Sequence, residues 1–530
     1  MGRAWGLSRT YRGPIPEQLG MVVDDTGYTT LYRRNDDAAG FFRNNVIALP
    51  YYLKESPDAL VIGPGGGKDV LAALAMEAAE VTAVEVNPLI VEAVNERFGA
   101  FTDELYRQPR VHLAVDEGRS FVRRSDRTYD IIGASAVFGR MPPAAGAFTL
   151  SENNLYTLEA FRDYWDHLSE DGILTISRFI FERETLRLVS LGMKLLEEEG
   201  AADPAAHIAV IKERGLANFM LKRSPFDAEE IARLRDLARE KAFDVVFLPD
   251  RRDGSGAYAR LIASGGSASF YDEFPYDITP TTDDRPFFYY MLKPADFLGL
   301  FGFPEKSKFE DRAILILRNL LVVVTALTAV FIVLPLLVLR REALREPGVG
   351  WRLLYFACLG LGFMLIEIGL LRRFILFLGH PIYALAVILF SLLVFSGFGS
   401  LLAGRVKRLG RRLPAVLLAL VLLFNFYVFV LPPILTATMT APLFGRCLLA
   451  VLLLAPLGLL MGMPLPLGMR LFHDRSQEVA WSWGINGATS VLGSLIAVVL
   501  AMNAGFNMTL LAGEAVYALA LLPVLMRRKA

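Results

Sequence analysis

The stretch ALVIGPGGGKDVLAALAMEAAEVTAVEV, Ala59 to Val86, decides the fold. Leu60, Val61 and Ile62 are a short apolar run, as expected of a strand buried in a parallel sheet. Gly63, Gly65, Gly66 and Gly67 follow, and they let the backbone turn sharply and come close to a ligand. Val70 to Ala79 is helical in composition with one apolar face. Val81 to Val84 reads as the next strand, and Glu85 stands at its carboxyl end. A carboxylate there can accept hydrogen bonds from two ribose hydroxyls. The segment predicts a nucleoside-binding half of a doubly wound α/β sheet.

The glycine spacing narrows the nucleoside. A dinucleotide fingerprint, G-x-G-x-x-G, would need a third glycine at position 68, which is Lys68. The pattern present is G-x-G-x-G, the form of S-adenosylmethionine-type sites. Such a ligand has no pyrophosphate and does not need a helix N-terminus as an anion site.

Composition frames the rest. At 530 residues the chain is too long for one ordinary domain, and its formal net charge of +0 gives no reason to expect a nucleic-acid partner. Hydrophobic residues make up 54%, and the mean hydropathy is +0.40. That excess is concentrated beyond about Phe309. The 2 cysteines, Cys358 and Cys447, lie in those apolar runs, so neither a disulfide framework nor a thiolate metal site is expected. His112, His167, His207, His380 and His473 have no zinc-ligand spacing, and no metal is expected. No secretory signal peptide is expected at Met1.

The α/β rhythm continues through the first half. Pro88 to Arg97 reads as an amphipathic helix, Val111 to Val115 as a strand ending in Asp116 and Glu117, and Tyr129 to Ile132 as a fourth strand. A Gly/Pro/Ala-rich loop runs through Gly146. Leu158 to Leu168 follows as a helix and Gly172 to Ser177 as a fifth strand. Glu184 to Glu199 is rich in i,i+4 charges, the pattern of a solvated helix face. Ile208 to Lys212 and Asn218 to Lys222 read as antiparallel strands around Gly215. Near the start, MVVDDTGYTTLYR (Met21 to Arg33) reads as a β-hairpin.

Residues of about 20 to 225 resemble the spermidine synthase (polyamine aminopropyltransferase) branch of the class I S-adenosylmethionine-dependent methyltransferase superfamily. The likeness is carried by the early hairpin, VIGPGGGKD, VTAVEVNPLIVEAV, VDEGRSFV, YDII and LYTLEAFRDYWDHLSEDGILTIS. It implies that Gly63, Gly65 and Gly67 cradle the methionine-like part of the ligand and that Glu85 holds the ribose. It also implies that an acid of VDEGRSFV meets the adenine amino group, with Glu117 favoured over its neighbour Asp116. The donor it implies is S-adenosylmethionine or its decarboxylated form.

Two departures stand out. The family has an acidic residue in the glycine loop where this chain has Gly66; Asp69 is either its substitute or simply a helix N-terminal carboxylate. The family's amine-binding aspartates after the fourth strand correspond to Ser135 and Phe138. A cationic amine must lose a proton before it attacks, and carboxylates do that work. The nearest polar cluster is SENNLYT, Ser151 to Thr157. Glu152 is the candidate base or amine binder, with Asn153 and Tyr156 as orienting groups; the other reading is a helix start capped by Thr157.

From Phe226 the periodicity weakens until DITPTTDDRPFFYYML (Asp277 to Leu292), which resembles an element of membrane-fused spermidine synthase relatives. Asp283, Asp284 and Arg285 are expected to dock the soluble part on the membrane part rather than close over the ligand. Phe287 to Met291 is expected to be an interfacial aromatic patch. Seven apolar segments follow, at about 314–339, 353–378, 382–403, 413–433, 443–463, 484–502 and 507–526, each about long enough to cross a hydrocarbon core of about 30 Å. Gly397, Gly399, Gly404, Gly484, Gly487 and Gly493 would allow close helix packing. Glu367 is either a functional intramembrane carboxylate or the partner of Arg372 or Arg373; Glu514 is a second such carboxylate. LLMGMPLPLG, Leu459 to Gly468, is expected to break a helix.

The expected architecture is a hairpin region at 1–50, a Rossmann-like spermidine synthase-like domain at 51–225, an extension and linker at 226–312, and a polytopic α-helical membrane domain at 313–530. The expected function is aminopropyl transfer to an amine. Its alternatives are methyl transfer to a membrane-associated substrate and a non-catalytic nucleoside-binding transporter or sensor. Expected partners are a small-molecule amine or membrane-associated acceptor and the lipid bilayer; a homodimer is compatible. Basic turns would place the nucleotide domain outside by the positive-inside rule, whereas a cytosolic cofactor places it in the cytoplasm beneath a multi-pass inner membrane anchor, which is the orientation expected here. A membrane segment ahead of Met1 would remove that conflict.

Overall fold

A strand whose alternate residues are all apolar can separate two cores, and the run after Asp58 does so. The computed structural model describes residues 5–23, 27–34, 38–135, 152–179, 183–251, 256–294, 311–339, 348–379, 381–439, 441–472 and 476–526. The chain divides into two compact units, Met1–Asp296 and Phe297–Ala530.

In the first unit, β1 (Gln18–Val23) and β2 (Gly27–Tyr32) form the early antiparallel hairpin. Its expected turn at 24–26 lies outside the described residues. The main sheet contains β3 (Asp58–Ile62), β4 (Glu80–Glu85), β5 (Val111–Val115), β6 (Tyr129–Gly133), β7 (Leu168–Phe179), β8 (Ile208–Glu213), β9 (Leu216–Lys222) and β10 (Asp244–Phe247). Their order is β10-β8-β9-β7-β6-β3-β4-β5. The pairs from β5 through to β7 are parallel, and β9, β8 and β10 complete the sheet antiparallel. This is the Rossmann-like class I methyltransferase plan. The order reverses between β3 and β6, and ligands of such sheets bind at the carboxyl ends beside that switch point.

Ala59 and Val61 point into one core, Leu60 and Ile62 into the other. The principal helices of this unit are α1 (Lys68–Ala75), α2 (Gly118–Arg124), α3 (Leu158–Asp166), α4 (Glu184–Glu198) and α5 (Ala228–Glu240). The charged helix α4 corrects its sequence reading: it is largely buried, Arg187 included, rather than solvated. Its apolar residues pack into the second core, and Arg187 is covered by the segment Asp277 to Met291. Its backbone oxygens at Phe288 and Tyr290 accept from the Arg187 guanidinium at 2.6 and 2.7 Å. The expected interfacial patch is corrected by the same contact, because Phe287, Phe288, Tyr290 and Met291 are all buried in the first unit.

Among the described residues, the second unit holds seven helices long and apolar enough to cross a membrane: Ile316–Val333, Val349–Leu378, Tyr383–Arg405, Leu409–Ala437, Leu443–Phe472, Val479–Ala504 and Phe506–Met526. These correspond to the seven expected segments. The fifth is interrupted between Met461 and Pro464, where proline restarts the helix. Only some of the expected glycines lie at crossings. A β carbon at Gly399 would stand 2.0 Å from the Leu459 carbonyl oxygen, and one at Gly493 3.1 Å from Met364, but Gly397, Gly404, Gly484 and Gly487 have nothing within 4 Å. Arg373, one of the two arginines that could pair with Glu367, donates to the Tyr427 and Val428 carbonyls and to Asn507. Glu514 accepts from the Asn425 amide at 2.6 Å.

Candidate functional site

The glycine loop turns because three of its residues take positive φ: Gly63 at 65°, Gly65 at 55° and Gly67 at 95°. Gly63 N–H donates to the Val84 carbonyl at 2.9 Å, which ties the loop to the end of β4. Glu85 follows there, buried, with one carboxylate oxygen accepting from Gly65 N–H at 3.1 Å and the other from Asn87 N–H at 3.0 Å. Burial pushes the Glu85 carboxyl above its usual range, against these backbone donors. The strand-end acid and the glycine loop therefore meet.

The hairpin closes over this loop. Thr29 Oγ1 accepts from Gly66 N–H at 2.7 Å, and Tyr106 OH donates to the Gly65 carbonyl at 2.5 Å. A β carbon at Gly66 would stand 2.1 Å from the Thr30 carbonyl oxygen. This gives a physical account of the missing acid: no side chain fits at 66 while β2 lies there.

Asp69 is in the first turn of α1. Burial pushes its carboxyl up, opposed by the Lys68 charge and a hydrogen bond with Ser135. Burial likewise pulls the Lys68 amine down to about 8, with Asp69 opposing. The Tyr32, Tyr51 and Tyr106 hydroxyls are raised by burial, and Asp69 adds to each. Ser135, buried at the exit of β6, accepts from Ser177 N–H at 3.0 Å.

The two acids after β5 have local duties. Asp116 N–H donates to the Glu85 carbonyl at 3.1 Å, which brings the ends of β4 and β5 together, and its carboxylate pairs with Arg124. Glu117 is the N-cap of α2, accepting from Arg119 N–H at 3.1 Å and Ser120 N–H at 2.8 Å.

The SENNLYT cluster sits against the Asp277–Met291 segment. Asn153 is buried; its N–H donates to the Pro286 carbonyl at 2.8 Å and its side chain accepts from Leu155 N–H at 2.9 Å. Tyr156 is fully buried, donates to the Ala134 carbonyl at 2.6 Å and packs on Phe288 with ring centroids 4.9 Å apart. Ala134 is the neighbour of Ser135 in the chain. Thr157 caps α3, accepting from Ala160 N–H at 3.2 Å. Glu152 is half-buried at the start of this cluster. Phe138, the loop through Gly146 and Ser151 lie outside the described residues.

Sequence reasoning missed Arg119, which is buried and ion-paired with both Asp163 and Asp283. Arg285 pairs with Asp277 at 3.2 Å. These ion pairs of Asp283 and Arg285 lie within the first unit, not in a linker between parts. No local pattern signals them, because the partners come from distant stretches.

Residues 43–190 match the spermine/spermidine synthase domain. A polyamine aminopropyltransferase of Thermoplasma volcanium is 25% identical over 155 residues, 28% of this chain and 53% of that protein. One of Alkaliphilus oremlandii is 32% identical over 120 residues, 22% of this chain and 38% of that protein. The chain thus spans about half or less of the length of these relatives. Among solved structures, a probable spermidine synthase from Corynebacterium glutamicum is similar, with 15% identity, 49% of this chain and 95% of that chain covered, and a TM-score of 0.31. With the parallel sheet, the glycine loop and Glu85 in register, the first unit is spermidine synthase-like on a class I methyltransferase fold, and seven apolar helices follow it in the chain.

Proposed function

We propose that the chain is a membrane-anchored transferase that binds decarboxylated S-adenosylmethionine, or S-adenosylmethionine, and moves an aminopropyl group to an amine acceptor. The observation that carries this reading is the buried Glu85 carboxylate hydrogen-bonded to the glycine loop at Gly65. The ribose hydroxyls would take up Glu85, the methionine-derived chain would lie along Gly63, Gly65, Gly66 and Gly67, and the adenine would lie beside Asp116 and Glu117. The carbon next to the sulfonium is attacked in line by the acceptor nitrogen, and the thioether nucleoside leaves. Positioning and the reactivity of the sulfonium supply most of the rate. Asp69 and Glu152 are the carboxylates near the acceptor side, with Ser135, Asn153 and Tyr156 holding the surrounding backbone. The seven helices make the chain multi-pass in the bilayer, with the nucleotide unit on the cytoplasmic side where the donor is made.

The test is calorimetric titration of the purified chain with decarboxylated S-adenosylmethionine, S-adenosylmethionine and methylthioadenosine, followed by an amine screen with the preferred donor. Tighter binding of the decarboxylated donor and amine-dependent release of methylthioadenosine are expected. Preference for the carboxylated donor would move the assignment to methyl transfer. Binding of none would leave the transporter or sensor.

A further inference from the structure

We propose that Thr29 and Tyr106 are specificity-determining residues of the nucleoside site: they pin the peptide between Gly65 and Gly66, so that the glycine loop has no N–H left for a carboxylate. This rests on the transferase reading above and says how the chain tells a decarboxylated donor from a carboxylated one.

The Gly65 carbonyl and the Gly66 N–H belong to one peptide plane. Tyr106 OH donates to the carbonyl at 2.5 Å, and Thr29 Oγ1 accepts from the N–H at 2.7 Å. Thr29 lies on β2, ahead of the loop in the chain, and Tyr106 lies in the turn Leu105–Arg107, after it. Both side chains are set firmly against the loop. Tyr106 is buried, and its own N–H donates to Asn95 Oδ1 at 3.1 Å. A β carbon at Gly65 would stand 2.7 Å from Thr29 Oγ1. Glycine flanks this peptide on both sides and would otherwise let it turn over easily. Held at its oxygen and at its nitrogen, it does not.

The other N–H groups of the loop are engaged as well. Gly63 donates to the Val84 carbonyl at 2.9 Å, Gly65 to Glu85 Oε2 at 3.1 Å and Gly67 to the Pro64 carbonyl at 2.8 Å. Pro64 has no N–H. Every N–H from Gly63 to Gly67 therefore has an acceptor within the protein. The next cation along the chain, Lys68, donates to the Trp5 carbonyl at 2.9 Å. The start of α1 carries Asp69 in its first turn, so a second carboxylate arriving at that helix end meets a like charge.

The two donors differ at the end of the chain that the reading above lays along this loop. S-adenosylmethionine carries a carboxylate beside its ammonium group; the decarboxylated form carries the ammonium alone. A carboxylate taken from water to a place with no donor keeps its desolvation cost. An ammonium group requires acceptors and is not penalised by the lack of N–H groups. Position 66 has no room for an acid that would select the ammonium group by attraction, because the Thr30 carbonyl oxygen lies 2.1 Å from where a β carbon would stand. Selection here works by withholding partners from the carboxylate.

The experiment titrates the full chain in detergent, by calorimetry, with S-adenosylhomocysteine, its decarboxylated form and methylthioadenosine. The first two differ only in the carboxylate, so the ratio of their affinities cancels any loss of nucleoside binding common to both. The wild-type chain is expected to bind the decarboxylated compound at least about tenfold more tightly. The double variant Thr29→Val, Tyr106→Phe keeps side-chain shape and removes both hydrogen bonds. Its released peptide can turn the Gly66 N–H towards the carboxylate, and the ratio is expected to fall to within about threefold. Thr29→Ser keeps the hydroxyl and is expected to keep the wild-type ratio. Where the double variant does not fold, Thr29→Val alone carries the same test with a smaller fall. A wild-type preference for the decarboxylated compound that these variants leave unchanged overturns the inference and leaves the transferase reading intact. A wild-type preference for the carboxylated compound overturns both, and so does a wild-type chain that binds none of the three.

Discussion

Arg119 and Asp283 lie 164 residues apart in the chain and form a buried ion pair. Arg119 lies in the first turn of α2, two residues after the Glu117 cap, and Asp283 belongs to the segment that also binds Arg187 and backs Asn153 and Tyr156. The pair therefore ties the start of α2 to the segment Asp277 to Met291. Burial pulls the Arg119 guanidinium down, but Asp283 and Asp163 outweigh it and keep it charged.

Arg119→Met should remove a buried cationic partner from Asp163 and Asp283, both mostly buried, leaving Asp163 its pair with Arg123 and Asp283 its hydrogen bond from Thr157. Removing one partner of a buried pair costs about 3–5 kcal/mol. The expected outcome is a lower unfolding midpoint and faster hydrogen exchange across 277–291. Exchange unchanged in that segment would mean that its other ties, to Arg187, Asn153 and Leu158, hold it without Arg119.

Glu85→Gln should weaken nucleoside binding. A hydrogen bond to a charged group is worth about 1.5–3 kcal/mol, so affinity for methylthioadenosine should fall roughly tenfold or more. Calorimetry checks it, and unchanged affinity would remove the ribose assignment.

Gly66→Asp, which restores the family's acid to the loop, should not gain activity. Its β carbon meets backbone at Thr30, not a flexible side-chain end. Overpacking of this kind costs about 1–3 kcal/mol. The hairpin β1–β2 should loosen, read as faster exchange at Thr29 to Tyr32.

What the sequence made legible was whatever repeats locally. Leu60 to Ile62, the glycines and Glu85 carry strand, turn and strand end within thirty residues, and the structure places them as read. The apolar helices were legible for the same reason, because span length is a local property. What failed was long-range. The charges of α4 matched a solvated face, and nothing in Glu184 to Glu199 announces that Arg187 will be covered by carbonyls from residues 287–290. Gly66 likewise looked like a lost acid until the hairpin was seen against it.

Stability of the first unit should depend on pH through Asp277. Burial pushes its carboxyl up, but Arg187 and Arg285 outweigh that and hold it below its ordinary value of 3.8. A group with a depressed folded value contributes stability above its unfolded value, and loses it as pH falls through the folded one. Asp277→Asn should therefore be destabilised at neutral pH, with the gap to wild type closing in acid below the ordinary carboxylate range. Denaturant unfolding at several pH values checks this. A gap that stays constant in acid would show that packing, not the charge, is what the substitution removes.

The paired glycines of the helix Tyr383–Arg405 offer a controlled test of packing in the second unit. Gly399 lets this helix approach the helix Leu443–Phe472 so closely that a β carbon would meet the Leu459 carbonyl oxygen at 2.0 Å. Gly397, two residues earlier, faces nothing within 4 Å. Between apolar helices in lipid, association depends on close packing rather than on exclusion of water, so the small residue matters where backbones touch and not elsewhere. Gly399→Leu should force the helices apart and lower the thermal midpoint of the detergent-solubilised chain, at a cost of about 1–3 kcal/mol. Gly397→Leu should stay within about 0.5 kcal/mol of wild type. Equal effects at the two positions would mean that helix propensity, which changes alike at both, decides the outcome and that the Gly399 crossing contributes nothing measurable.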